Sequence, residues 1–141
     1  GLMFAEALVC LALNVYHEAR DQPFIGQVAV AQVVMNRVRD DRYPDDVCDV
    51  VKQGPTYSWK QDFPVRHRCQ FSWYCDGKSD DTHNEGAWQQ AMLIAYGVYT
   101  GNLDDFVEGA THYHATYVLP EWAESKTHVV QIGDHMFYRW D

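Results

Sequence analysis

The sequence predicts a single α+β domain that is mostly helical, with a small antiparallel sheet toward the C-terminus. Its 141 residues, 47% of them hydrophobic, suit one compact domain with a core of its own and are too few for two. Apolar residues recur at helical spacing through much of the first two thirds. The last third instead carries short β-type runs around a Gly133-Asp134 turn.

Two long helices are predicted at the start of the chain. Apolar residues share one face over Leu2–Arg20, and Asp21-Gln22-Pro23 ends this helix. A second helix is predicted over Phe24–Arg39 and a short third one over Asp45–Gln53. The opening apolar run contains Glu6, follows no basic segment and is too short to span a bilayer. It is therefore interpreted as a core helix, and no signal peptide is visible.

The middle of the chain changes from irregular to helical. Residues Gly54–Ser79 show no regular period, and so long a stretch inside a compact domain is usually functional or cross-linked. Thr82 and Glu85 then fit a capping box, with Thr82 as the N-cap. The helix that follows is expected to end at Gly101, where a C-terminal glycine belongs.

The C-terminal third predicts strands. Ala110–Ala115 is expected to form one of them. Val129–Ile132 and His135–Tyr138 are expected to pair as a hairpin, because a usable two-residue turn joins them. The order is therefore helices first and a small antiparallel sheet after them.

The charge of the chain narrows its possible partners. A formal net charge of −9 argues against nucleic acid, because neutralising phosphates needs clustered Lys and Arg. It also argues against electrostatic adhesion to anionic membranes. Basic residues fall loosely around positions 37–42 and 60–68, which indicates solvated charges or a local basic patch on an acidic body.

The four cysteines contain no CxxC pair, which argues against a zinc ribbon or a thioredoxin-like site. Cys10 lies in an apolar helical run and is predicted to be a buried free thiol. One disulfide is expected among Cys48, Cys69 and Cys75 if the protein works outside the cytoplasm, with the pairing left open. A nucleophilic pair of Cys69 or Cys75 with His114 is an alternative, although cysteines in an irregular oxidised loop favour a structural role.

Glu18 is the main candidate for catalysis. It lies near the C-terminal end of the first predicted helix, where the helix dipole and partial burial both raise the pKa of a carboxyl group. A glycosidase needs such a group, which gives its proton to the leaving oxygen near neutral pH. The alternative is a surface glutamate paired with Arg20 or Arg37. A zinc-protease motif is excluded, since Asp21 stands where the second histidine after His17 is required.

Two histidines flank Tyr113 on a predicted strand. His112 and His114 are expected on one face and Tyr113 on the other. With His128 or His135 the two histidines could chelate a metal, but histidines on a strand are more often structural residues or substrate contacts. The sequence therefore predicts no metal site.

These motifs together resemble the cell-wall hydrolase family of the spore cortex-lytic enzymes SleB and CwlJ. The segments that carry the resemblance are Glu18-Ala19-Arg20, Gly26-Gln27-Val28-Ala29-Val30-Ala31, Asn36-Arg37-Val38, Cys69-Gln70-Phe71-Ser72-Trp73, Thr111-His112-Tyr113-His114, Pro120-Glu121-Trp122 and Ile132-Gly133-Asp134-His135-Met136-Phe137-Tyr138. They occur in the family's order over nearly the whole chain. His17 replaces a glycine that spore members often carry, and the Cys-rich loop looks more like phage or proteobacterial endolysin-like relatives.

The resemblance implies a lysozyme-like fold and cleavage of peptidoglycan between MurNAc and GlcNAc, typically as a lytic transglycosylase. It implies that Glu18 is the catalytic acid/base. A hydrolytic lysozyme would need a second carboxylate about 5–9 Å away, for which Asp21 and Asp80-Asp81 are candidates. A transglycosylase needs only one, so the single-acid mechanism is favoured. The competing hypotheses are a non-catalytic wall-binding module and a zinc hydrolase built on His112 and His114.

The same resemblance suggests substrate contacts. Ser72 and Tyr113 are expected near the scissile bond, and Gln70 and His114 are expected to hold substrate amides or hydroxyls. Trp73 is expected either to stack on a sugar or to pack in the core. We expect no metal or organic cofactor, no nucleic acid partner, no stable membrane insertion and a monomer. The partner is peptidoglycan, and the location is extracytoplasmic, in the periplasm or cell wall, after secretion or phage delivery.

Overall fold

The computed structural model describes residues 2–53, 56–57, 60–64, 71–75 and 82–141, apart from the side chains of residues 2, 56–57, 60–64, 72 and 75. The helices are α1 (Leu2–Ala19), α2 (Phe24–Arg39), α3 (Val47–Val51) and α4 (Glu85–Tyr99). The strands are β1 (Thr56–Tyr57), β2 (Lys60–Pro64), β3 (His112–Ala115), β4 (Thr127–Ile132) and β5 (His135–Arg139). Short 3-10 turns cover Ser72–Cys75 and Glu121–Ser125.

Helix α2 lies at the centre of the fold. Its residues 26–35 are all buried, and α1, α3 and α4 pack around it and one another. A helix that is apolar on nearly every side is stable only inside a core. The polar side chains of Gln27, Gln32 and Arg37 are buried too, and each donates to a backbone carbonyl outside α2.

The C-terminal sheet covers one side of α2. Its strands run antiparallel in the order β3-β5-β4, and Tyr113 in β3 pairs with Phe137 in β5. Phe137 is fully buried in a second apolar cluster that includes Val30 and Val33 of α2. The Gly133-Asp134 turn joins β4 to β5, with φ of 57° at Gly133, a backbone conformation that glycine adopts without strain.

The predicted fold class is confirmed, and so are most elements. Helix α2 has the predicted bounds, and α1 ends one residue earlier than predicted, at Ala19. The third helix is shorter than predicted and begins after Asp46, whose side chain accepts the Asp49 N–H. Gly101 has φ of 75° directly after α4, as predicted for a helix-ending glycine.

The predicted cap of α4 is wrong. Asn84, not Thr82, is the N-cap, because the Asn84 side chain accepts the Ala87 N–H at 3.0 Å. The helix therefore begins at Glu85, two residues later than a Thr82 cap requires. Asn is the stronger N-cap residue of the two, and the capping-box pattern around Thr82 did not take that preference into account.

The cysteine prediction is wrong for Cys10 and for a pairing of Cys48 with Cys69 or Cys75, while a Cys69–Cys75 bond falls outside the described residues. Cys10 is not a free thiol but forms a disulfide with Cys48, across the contact between α1 and α3. Val47, Val50 and Val51 are buried and seat α3 in the core, which brings Cys48 to the face of α1 that carries Cys10. Apolar surroundings suit a half-cystine as well as a thiol, so burial alone did not distinguish them.

The stretch without a sequence period contains an antiparallel pair, β1 with β2, and the 3-10 turn at 72–75. Within the described part of the chain, every helix is too short or too polar to cross a membrane.

Candidate active site

Glu18 lies on the last turn of α1, and its side chain lines a cleft. The cleft has a volume of about 220 Å³, and the Glu18 side chain is half-buried in its wall. Three segments form the other walls: the linker after α1, the loop after β3 and the β4–β5 turn. They contribute Arg20, Asp21, Gln22, Tyr117, Asp134 and His135.

Opposing influences act on the pKa of the Glu18 carboxyl. Burial raises its pKa above the ordinary value of 4.5, and this is the larger influence. A hydrogen bond from the Tyr113 hydroxyl to Oε1, 2.7 Å long, and the positive charge of Arg37 act in the opposite direction. The carboxyl therefore keeps its proton to higher pH than a free glutamate does.

Tyr113 reaches Glu18 because of the alternation along β3. Its ring packs against Phe137 at 5.5 Å and against His135 at 5.1 Å, on the face directed at the helices. His112 and His114 lie on the opposite face, where both rings contact Trp122. Burial and the nearby Glu18 charge raise the pKa of Tyr113, so its hydroxyl remains a proton donor at neutral pH.

Arg37 enters the site from α2. It is 5% exposed, its Nε–H donates to the Thr111 carbonyl at 2.7 Å, and its guanidinium lies over the rings of Tyr43 and Phe71. Burial lowers its pKa, but a guanidinium stays charged at any physiological pH. A permanent positive charge therefore acts on Glu18 and favours its carboxylate form.

Polar side chains of α2 hold the segment that precedes β3. Gln32 accepts the Phe106 N–H at 3.0 Å, and Asn36 donates to the Ala110 carbonyl at 2.9 Å. With the Arg37 bond they tether residues 106–111 along the helix. These bonds fix the position of β3 against α2, and so they fix the position of Tyr113 relative to Glu18.

Hydrogen bonds join the linker after α1 to the β4–β5 turn in the wall of the cleft. The Gln22 Oε1 accepts the Asp134 N–H at 2.9 Å, and the Gln22 amide donates to the Asp134 carboxylate at 3.2 Å. A Cβ at Gly133 would lie 2.5 Å from that Oε1, so any larger residue would displace the Gln22 side chain from its position. The hairpin turn was predicted, but nothing local in the sequence placed it beside Glu18.

Comparison with known proteins identifies the family of this chain. The family model described as Cell Wall Hydrolase matches residues 21–138 of this chain. The chain belongs to the cell wall hydrolase family. The match begins three residues after Glu18, so it does not include this residue. The candidate role of Glu18 as an acid is therefore inferred from the geometry of the cleft.

Curated relatives of this family member are spore cortex-lytic enzymes. That of Halalkalibacterium halodurans is 33% identical over 128 residues, covering 90% of this chain and 33% of the relative. That of Bacillus cereus is 30% identical over 129 residues, covering 90% of this chain and 42% of the relative. The chain thus spans less than half the length of these curated relatives.

Two solved structures share the fold of this chain. The catalytic domain of the Bacillus cereus SleB protein superposes with a TM-score of 0.67 at 26% identity, covering 94% of this chain and 89% of that one. The catalytic domain of SleB from Bacillus anthracis, described as a germination-specific lytic transglycosylase, has a TM-score of 0.69 at 28% identity, with 94% and 93% coverage.

Trp73 packs in the core. It is 7% exposed, its ring stacks on His17 at 4.7 Å, and its Nε1–H donates to Asn14 Oδ1 at 2.9 Å. Of the two roles considered for Trp73, the geometry supports packing, because little of the ring is left for a sugar.

The remaining predicted contacts fall in different places. His114 is buried, with Nδ1 2.7 Å from the Ala115 carbonyl and Nε2 2.9 Å from the Tyr138 hydroxyl, so both ring nitrogens have protein partners. Ser72 begins a 3-10 turn, but its side chain lies outside the described residues, as does all of Gln70. Their substrate roles stay predictions.

His112 lies in an aromatic setting. Burial first, and the charges of Arg37, Lys126 and Arg42 after it, lower its pKa to about 4. Among the residues that the structure describes, no group of three or more His, Cys, Asp or Glu side chains could hold a metal ion.

Proposed function

We propose that this chain cleaves peptidoglycan glycan strands between MurNAc and GlcNAc, as a lytic transglycosylase with Glu18 as its single acid/base. The observation that carries the proposal is the half-buried Glu18 carboxyl in the wall of a cleft, hydrogen-bonded to Tyr113. Burial raises its pKa, which suits a group that must hold a proton near neutral pH. Membership of the cell wall hydrolase family and the likeness to the SleB catalytic domain support the same substrate.

Glu18 takes part in two proton transfers in each cycle: it first donates a proton to the substrate and then takes one back from it. Protonated Glu18 gives its proton to the glycosidic oxygen as the bond from that oxygen to C1 of MurNAc breaks. The substrate's own N-acetyl oxygen supports the positive charge that develops at C1. The Glu18 carboxylate then takes the proton of the C6 hydroxyl as O6 bonds to C1, which closes a 1,6-anhydro ring and restores the acid.

The surroundings of Glu18 suit both halves of this cycle. Burial favours the protonated acid that starts it. The Tyr113 hydrogen bond and the Arg37 charge favour the carboxylate formed after proton donation. Because these influences oppose each other, neither form is so stable that the second proton transfer is blocked.

Glu18→Gln tests this role directly. The variant cannot donate a proton, so we expect the rate of release of soluble muropeptides from purified sacculi to fall about 10²- to 10⁴-fold. Glu6→Gln, an exposed position on the same helix, is the matched control and should keep full activity. Clearing of sacculi by Glu18→Gln at the wild-type rate would disprove the catalytic role of Glu18 and assign the cleavage to another residue.

A hydrolytic muramidase is the second candidate. The observation that favours it is that Asp21 and Asp134 line the same cleft as Glu18 and could supply a second carboxylate. Mass spectrometry of the digest separates the two, because hydrolysis adds a water that the anhydro product lacks. Under the single-acid mechanism Asp21→Asn and Asp134→Asn keep the anhydro product, whereas a hydrolase would lose activity with one of them.

We also propose that the protein acts outside the cytoplasm, as a monomer and without a cofactor. The disulfide between Cys10 and Cys48 supports the location, because such bonds persist in oxidising compartments.

A further inference from the structure

Arg20 lies in the wall of the cleft beside the candidate acid. It is the first residue after α1, it is exposed to solvent, and it lines the cleft together with Glu18. The central carbon of its guanidinium lies 4.7 Å from the centroid of the Tyr16 ring, one helical turn back. Tyr16 is only 3% exposed, and its hydroxyl accepts the Asn84 N–H at 3.0 Å. The ring is therefore a fixed support that holds the charge of Arg20 at the cleft.

No carboxylate among the described residues forms an ion pair with Arg20. The two ion pairs found there join Arg42 with Asp40 and Arg139 with Asp141. A cation–π contact uses none of the five N–H donors of a guanidinium, whose fork matches the two oxygens of a carboxylate. Of the described residues that line the cleft, Arg20 is also the only arginine or lysine. The cleft therefore offers one cationic donor group beside its acid.

We propose that Arg20 is a specificity-determining residue, which binds a carboxylate carried by the lactyl substituent of the MurNAc that Glu18 cleaves. This inference rests on the proposed function, because Glu18 acts at C1 of that sugar and the lactyl substituent is attached at C3 of the same ring. An anion on that substituent lies within one sugar of the reacting bond, on the side of the cleft that Arg20 can serve. The net charge of −9 repels an anionic strand, and Arg20 supplies attraction where the strand has to bind.

Two groups can supply the carboxylate. Where a stem peptide is attached, the lactyl carbonyl is an amide, and the anions are the carboxylates of the peptide itself. Where the peptide has been removed, the lactyl substituent ends in a carboxylate of its own. A guanidinium binds either one in the same way, so the substrates used in the test have to separate them.

Kinetics with matched soluble glycan strands test the role of Arg20. The strands are used with their stem peptides, with the peptides removed, and with the carboxylates of each form converted to methylamides. Arg20→Gln should raise KM about 5- to 10-fold for at least one anionic form, with kcat nearly unchanged, as for loss of an ion pair that is open to water. For the methylamide of that form the same variant should change KM by less than about twofold. The anionic form that responds identifies the source of the carboxylate.

Two further variants separate charge recognition from other effects. Arg20→Lys keeps the positive charge and should recover part of the lost affinity for the anionic strands. Arg39→Gln removes the same charge from an exposed position at the end of α2, outside the cleft lining, and should leave every KM unchanged. An Arg20→Gln effect that is equal for anionic strands and their methylamides would overturn the proposal, and so would unchanged KM values for all of them. Neither result touches the role of Glu18, which fails only if Glu18→Gln remains active.

Discussion

Tyr113 and Glu18 are 95 residues apart in the chain, and the Tyr113 hydroxyl donates a 2.7 Å hydrogen bond to Glu18 Oε1. One residue sits on a short strand and the other on the last turn of a long helix. The bond joins the two layers of the fold at the cleft. It is also the contact that most directly opposes the effect of burial on the Glu18 carboxyl.

Tyr113→Phe should shift the pH dependence of activity. Without the hydroxyl the pKa of Glu18 rises further, because burial is less opposed, and activity should persist to higher pH. The lost bond to a charged group should lower kcat/KM about 10- to 100-fold, measured as rate against pH. Tyr96→Phe, on an exposed face of α4, is the control. A Tyr113→Phe profile that overlays the wild type would contradict the role of this bond.

Glu18→Gln should stabilise the protein at neutral pH. The folded-state pKa of Glu18 lies above 4.5, so between 4.5 and that pKa the folded protein binds a proton that the unfolded chain has lost. Stability therefore falls as pH rises through this window, and the penalty is complete above it. Glutamine carries no charge and avoids the penalty.

Urea unfolding at a series of pH values measures this effect. The Glu18→Gln midpoint should exceed that of the wild type at pH 7, and the two should converge below pH 4.5. Glu6→Gln, at an exposed position, should change the free energy of unfolding by less than about 0.5 kcal/mol. A Glu18→Gln variant less stable than the wild type at pH 7 would mean that Glu18 gains more from its partners than it loses by burial.

Tyr117→Ala should weaken substrate binding. The Tyr117 ring is 86% exposed and lines the cleft beside Glu18, which leaves a flat apolar face for a sugar. We expect KM for soluble glycan chains to rise about 5-fold with kcat nearly unchanged, as for loss of one stacking contact. Leu119→Ala, 82% exposed in the same loop but outside the cleft lining, is the control. Equal KM values for the two variants would count against a sugar contact at Tyr117.

Removing the disulfide should destabilise the fold. The Cys10–Cys48 bond closes a loop with a sequence separation of 38, and the double variant Cys10→Ala/Cys48→Ala should lose about 2–4 kcal/mol of unfolding free energy. Urea titration of both proteins without reductant measures the difference. Val9→Ala, an exposed neighbour on α1, should leave stability almost unchanged. An unaltered midpoint in the double variant would show that packing of α3 suffices without the bond.

Local patterns predicted the elements well where the signal lies within a few residues. The apolar period and Pro23 predicted α2 with the bounds it has, and Gly133-Asp134 predicted the hairpin. The cap of α4 was missed by two residues, because Thr82 fits a capping-box pattern with Glu85 while Asn84, a stronger capping residue, forms the cap. Glu18 was identified as a candidate acid because it belongs to a recognisable motif and lies at the end of a helix.

The sequence by itself determined the order of helices and strands, the alternation that separates Tyr113 from its histidine neighbours, and the candidate acid. Only the tertiary structure decided that Cys10 pairs with Cys48, that Trp73 turns inward to Asn14, and that Tyr113 meets Glu18. Periodicity and turn chemistry are set by residues within about one turn of each other. Which faces meet depends on how the whole core packs, and no local pattern contains that information.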